Sequence, residues 1–94
     1  MSSGQRTPIL AFNEDNVSAM PNGAGVFILF NRSKQVVYVG TATGFNLQDK
    51  MREHLEAGDM LDAKFFQAIM CNTGGEARTE SMRLISEFNP KYNS

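Results

Sequence analysis

Ninety-four residues bound the chain to one small domain, with room for one core and one modest site. A single cysteine, Cys71, excludes an internal disulfide, and one cysteine with one histidine cannot build a zinc cluster. A net charge of −1 argues against the broad basic surface of a DNA-binding domain, although a local basic patch stays open. The remaining composition, 41% hydrophobic and 20% charged, fits a soluble globular protein. No apolar run approaches the ~18 residues of a membrane span. The opening MSSGQRTPIL has no charged-then-apolar signal pattern. Cytoplasmic residence, without a membrane partner, is the expectation.

Residues 1–15 read as a flexible N-terminal arm and 16–94 as the folded domain. Residues 9–24 carry Asn13, Asp15, Asn16, Pro21, Asn22 and Gly23, a set rich in turns and caps, with a short helical turn near Asp15. Two β-rich runs follow in GVFILFNRSKQVVYVG, joined by the polar Arg32-Ser33-Lys34-Gln35. Alternation puts Val26, Ile28 and Phe30 on one face and Phe27 and Leu29 on the other. A sheet apolar on both faces is covered on both, or covered on one and lined with a site on the other.

Asn46 is a candidate cap for a helix to Ala57, where Leu47, Met51 and Leu55 recur at helical spacing and Gly58 supplies the stop. Lys64 to Asn72 reads as a third strand, with a buried helix the alternative for so short a run. Cys71 falls in it and reads as a buried thiol. Glu76 to Phe88 is a second amphipathic helix whose stripe holds Ala77, Ser81, Leu84, Ile85 and Phe88, ended by Pro90. Phe65, Phe66, Met70 and Met82 read as core. The order β-β-α-β-α predicts an α+β domain with a small three-stranded antiparallel sheet flanked by helices.

Two glycine–aromatic segments, Gly25-Val26-Phe27 and Tyr38-Val39-Gly40, precede the helix LQDKMREHL. The chain then closes on Leu84-Ile85-Ser86-Glu87-Phe88-Asn89-Pro90-Lys91-Tyr92-Asn93. This pattern resembles the GIY-YIG nuclease superfamily over residues 16–93. The resemblance implies DNA phosphodiester hydrolysis with Mg²⁺ or Mn²⁺. It implies two strand tyrosines around the attacking water, an arginine on the first helix at the phosphate, a metal-holding glutamate on the second, and a closing asparagine that shapes the site. Such transfer rests on positioning and charge stabilisation. A metal polarises the phosphoryl oxygens and lowers the pKa of bound water.

Set against that pattern, this sequence departs at three places. Phe27 stands for the first tyrosine and offers neither donor nor acceptor. Tyr38 is retained beside Gly40, with simple hairpin packing as its other reading. The arginine position falls on Lys50, which keeps the charge but not the planar fork. A solvated surface lysine is the other reading there. Arg52 lies about 200° further round the helix and is no substitute. The glutamate position falls on Ser81, a poor Mg²⁺ ligand. Glu80 points about 100° away and becomes the metal ligand only if the helix start shifts. His54, one turn after Lys50, is a candidate base or phosphate donor, or else a structural ring at the helix edge. Asn93 matches the closing asparagine, or is an exposed terminal amide.

The resulting expectation is a GIY-YIG-type endonuclease-like domain with weakened chemistry. Tyr38, Lys50 and His54 act on the phosphodiester, Glu80 serves the metal, and Phe27, Gly40, Ser81 and Asn93 line the site. The competing expectation is a domain that kept the fold, lost the reaction, and binds DNA or a protein partner.

Overall fold

The computed structural model describes residues 5–58 and 60–93. In chain order it runs β1 (Gln5–Arg6), β2 (Leu10–Ala11), α1 (Glu14–Ser18), β3 (Ala24–Phe30), β4 (Val36–Ala42), α2 (Leu47–Ala57), β5 (Phe65–Cys71) and α3 (Gly74–Phe88). A 3₁₀ turn at Lys91–Asn93 closes it.

All strands are antiparallel. β4 pairs β3, and β3 pairs β5. β1 and β2 then lie in succession along the far edge of β5, with Arg6 opposite Ile69 and Leu10 opposite Phe66. The sheet therefore has four positions, and the three-stranded expectation is one short. The missing position comes from residues within the stretch read as an arm. Thr7 ties it down further: its N–H donates to the Ala68 carbonyl at 2.9 Å, and its Oγ1 accepts from the Ala68 N–H at 3.0 Å. The part of that stretch before Gln5 lies outside the described residues. Pro8 has no N–H for the ladder, which interrupts this edge into two short strands.

The hairpin between β3 and β4 is closed by Asn31. Its backbone N–H donates to the Gln35 carbonyl and its Oδ1 accepts from the Gln35 N–H, both at 2.9 Å. A register shift between Leu29 and Phe30 marks the sheet end of this hairpin.

Both faces of the sheet are covered, the first of the two arrangements that the alternation allows. Phe27, Leu29, Ala42, Phe66 and Ala68 pack under Leu47 and Met51 of α2 and Val17 of α1. Val26, Ile28, Phe30, Val39 and Ile69 pack under Ala77 and Leu84 of α3. Each large side chain sealed this way contributes roughly 1.5–3 kcal/mol of transfer free energy. Residues 65–71 are thus a strand, because β5 must bridge β1 and β3. Two core expectations are corrected: Met82 is 61% exposed and Phe88 45% exposed. Met82 is one position from buried Ser81, so a turn of the helix carries it off the inward stripe. Cys71 is half-buried, and loss of hydration raises its thiol pKa, with Glu76 and Glu80 adding to the effect.

Caps set the helix ends. Thr73 Oγ1 accepts from the Glu76 N–H at 3.1 Å, and Glu76 Oε1 accepts from the Asn72 N–H at 3.0 Å. These two bonds satisfy otherwise orphan donors at the start of α3. Gly58 ends α2 at φ +61°, and Asn89 ends α3 at φ +45°. Asn46 is the exception. It precedes α2 but its side chain makes no cap bond, and its buried Oδ1 has no hydrogen-bond partner.

Candidate functional site

The paired segments form adjoining strands, with Phe27 opposite Gly40 and Leu29 opposite Tyr38. Alternation and this register put the Phe27 and Tyr38 rings on the α2 face. Their ring centroids lie 5.9 Å apart. His54, from the last turn of α2, joins them at 5.7 Å from Phe27 and 5.1 Å from Tyr38. The three rings are tilted by 50–58° to one another, which suits aromatic contact better than a face-to-face stack.

Gly40 is what lets Phe27 lie there. A Cβ on Gly40 would fall on the Phe27 ring carbons, well inside contact distance. Phe27 is 1% exposed, so the ring has no open space to move into. The triplet pattern marks this glycine, but only the strand register explains it.

Asn93 is not a loose terminal amide. Its Oδ1 accepts from the Val39 N–H at 2.8 Å and its Nδ2 donates to the Val39 carbonyl at 3.1 Å. The side chain thus plays the part of a further strand residue on the open edge of β4, between Tyr38 and Gly40. Asn93→Ala is expected to strand the buried Val39 N–H and lower stability by about 1–3 kcal/mol. Asn93→Asp keeps the acceptor but turns an oxygen toward the Val39 carbonyl, so it is expected to recover only part of the loss. Urea unfolding of both variants measures this, and an alanine variant as stable as the parent would mean that the Asn93 clamp contributes nothing to stability.

Lys50 lies one turn before His54 on the same flank of α2 and is half-buried. Arg52 belongs to the opposite flank. It pairs with Glu14 and donates to Ser18 Oγ at 3.1 Å and Gln48 Oε1 at 3.4 Å, which docks α1 on α2. Ser18 and then Arg52 hold the Glu14 carboxyl below the usual carboxylate range. Arg52 is therefore committed to the scaffold, as its angular offset from Lys50 implied.

The second-helix positions stand apart from the rings. Ser81 is 3% exposed on the α3 face, and its hydroxyl donates to the Arg78 carbonyl of its own helix at 2.9 Å. Glu80 lies near Arg83 and 3.7 Å from Arg6 on β1, beyond β5 from the aromatic cluster. Arg83 first, and Arg6 with it, lower the Glu80 pKa. The structure thus brings Phe27, Tyr38, His54 and the Asn93 clamp together on the β4 side, and Glu80 elsewhere. Tyr92, which also packs against this core cluster, had no sequence signal beyond its place beside Asn93.

Mg²⁺ and Mn²⁺ ask for oxygen donors, chiefly carboxylates. Among the described residues no group of three His, Cys, Asp or Glu side chains comes together to hold a metal. The ring cluster offers a phenol and an imidazole, Ser81 is turned to its own helix, and Glu80 is held by arginines. The ring cluster therefore supplies no carboxylate of its own for a divalent ion, and Glu80, the candidate metal ligand, stands apart from it.

No protein-family model matches the sequence. The chain is 30% identical over 88 residues, 85% of its length, to the UvrABC system protein C of Caldicellulosiruptor saccharolyticus. It is 30% identical over 84 residues, 79% of its length, to the protein of that name from Methanosphaera stadtmanae. The chain spans only 14% of the length of either relative. Its fold matches the GIY-YIG N-terminal endonuclease domain of UvrC from Thermotoga maritima, bound to magnesium, with a TM-score of 0.74 and 24% identity. That match covers 85% of this chain and 93% of the other. A tyrosine-to-phenylalanine mutant of that domain, also bound to the catalytic divalent cation, matches with a TM-score of 0.74 and 26% identity, over 85% of this chain and 92% of the other. Shared strands, shared helices and a likeness that runs through most of the sequence have one reading: the chain belongs to the GIY-YIG superfamily.

Proposed function

We propose that this domain retains the phosphodiester-facing surface of a GIY-YIG endonuclease with weak or no independent hydrolysis. The observation that carries the reading is the composition of the ring cluster. Tyr38 and His54 meet a sealed phenylalanine, which brings no hydroxyl to the surface they form. Lys50 supplies charge from the same helix flank as His54. These groups can bind and orient a phosphate of DNA in the cytoplasm. Among the described residues no metal-holding set joins them, so charge building on the phosphoryl oxygens goes largely unstabilised. One such electrostatic contributor is worth about 10²–10³ in rate.

The test is nicking of supercoiled plasmid with Mg²⁺ or Mn²⁺ present, with and without chelator. The unmodified protein is expected to nick at least ~10²-fold more slowly than the Thermotoga maritima UvrC endonuclease domain assayed beside it. Rapid, chelator-sensitive nicking by the unmodified protein would overturn the proposal. Duplex binding that weakens steeply with salt is the companion expectation.

A second reading, docking of a protein partner, is favoured by an open groove lined by Arg6, Ile9, Lys34 and Phe88. Ile9 is 40% and Phe88 45% exposed. Absence of duplex binding at low salt would favour this reading over the first.

A further inference from the structure

The loop Thr43-Gly44-Phe45-Asn46 joins the strand of Tyr38 to the helix of Lys50 and His54, and its conformation runs against the local preferences of its residues. Phe45 sits at φ +58°, in the left-handed region that bulky side chains avoid. Gly44, the residue made for that region, sits beside it at an ordinary φ. Burial does not compensate, because Phe45 is 60% exposed. The next residue adds a second cost: Asn46 holds its Oδ1 buried and without a partner. The loop is nevertheless pinned. Gly74, at the start of α3, packs so closely on the Thr43 backbone that a Cβ there would lie 3.1 Å from Thr43 Cα. Local rules broken at adjacent residues, without a packing gain, mark functional sites.

We infer that Phe45 is a nucleobase-stacking wedge, which enters the base stack of a DNA duplex whose phosphate lies at Tyr38, Lys50 and His54. This rests on the phosphodiester-binding reading above and names how that surface grips DNA. A single exposed ring has the right size for one base step. Aromatic wedges of this kind unstack a step and bend the duplex. Stacking tolerates any base, since every base presents a π-face. Because the pinned loop holds the ring outward before DNA arrives, little ordering is needed on binding.

The experiment compares the parent protein with Phe45→Gly and Phe45→Trp on a fluorescent duplex that carries 2-aminopurine, at low salt. Glycine relieves the left-handed strain, so Phe45→Gly is expected to melt no lower than the parent while binding the duplex about tenfold more weakly. The parent and Phe45→Trp are expected to brighten 2-aminopurine by unstacking it, and Phe45→Gly is not. Equal affinity for parent and Phe45→Gly, or duplex binding by the parent without a 2-aminopurine response, overturns the wedge and leaves the phosphate reading intact. Failure of the parent to bind duplex at all overturns both.

Discussion

Phe27→Ala is expected to lower stability by about 3–5 kcal/mol, and Gly40→Ala by about 1–3 kcal/mol. The first leaves a hole where a fully buried ring touched Tyr38 and His54. The second drives a methyl group into that ring. The informative measurement is the pair. With the ring gone, the methyl introduced at position 40 has room, so the double variant is expected to be more stable than the sum of the single losses by about 0.5–3 kcal/mol. For a domain this small, each kcal/mol moves the melting temperature by roughly 4–8 °C, so the coupling is visible in thermal melts as well as in urea. Strict additivity would mean that Gly40 is required for some reason other than the ring laid across it.

Ser81→Glu is the second large effect. It puts a carboxylate at a position 3% exposed, in the seam between α3 and the sheet. Burial of an unpaired charge favours the protonated form, so the introduced carboxyl has a folded-state pKa above its unfolded one. The folded state then binds more protons, so the variant loses stability as pH rises from about 4 toward neutrality. A loss of several kcal/mol at pH 7, and less near pH 4, is expected in urea titrations. Divalent ions should recover stability only if the new carboxylate faces a site they can occupy with the α2-side groups. Recovery with Mg²⁺, absent in the parent protein, would show that one substitution is enough to make a donor set. A variant equally stable at both pH values would show that position 81 opens to water in solution.

In the closing segment the letters and the fold carry different information. Leu84 through Asn93 carries the family resemblance in its letters, yet its letters do not say what Asn93 does. In one dimension it is a polar residue near a chain end, and an exposed amide is a fair reading. Its role exists only because β4 is the open edge of the sheet, and Val39 there presents an N–H and a carbonyl to a single side chain. Glu80 illustrates the converse. Its distance along the helix from Ser81 was legible, and so was the angle between them. That Arg6 would come to meet it was not, because Arg6 lies in residues too polar and too short in run to announce a strand. Strand pairing with β5 made that contact, and no local propensity encodes it.

Phe45 belongs to the same group. Its letter, next to a glycine, gives no hint that the left-handed position falls on the aromatic residue. The closure of β4 onto α2 and the contact of Gly74 with Thr43 decide it.

Local chemistry alone determined the order of the main elements, the alternation that splits the core into two layers, the helix stops at Gly58 and Asn89-Pro90, and the lack of a hydroxyl at Phe27 and of a carboxylate at Ser81. Those follow from side-chain size, periodicity and functional groups, which any short window contains. Tertiary structure decided the fourth sheet position, the gathering of Phe27, Tyr38 and His54, the clamp of Asn93 on Val39, and the separation of Glu80 from that cluster. Each of these joins residues far apart in the chain, so it depends on which surfaces are buried together and not on the sequence around any one of them.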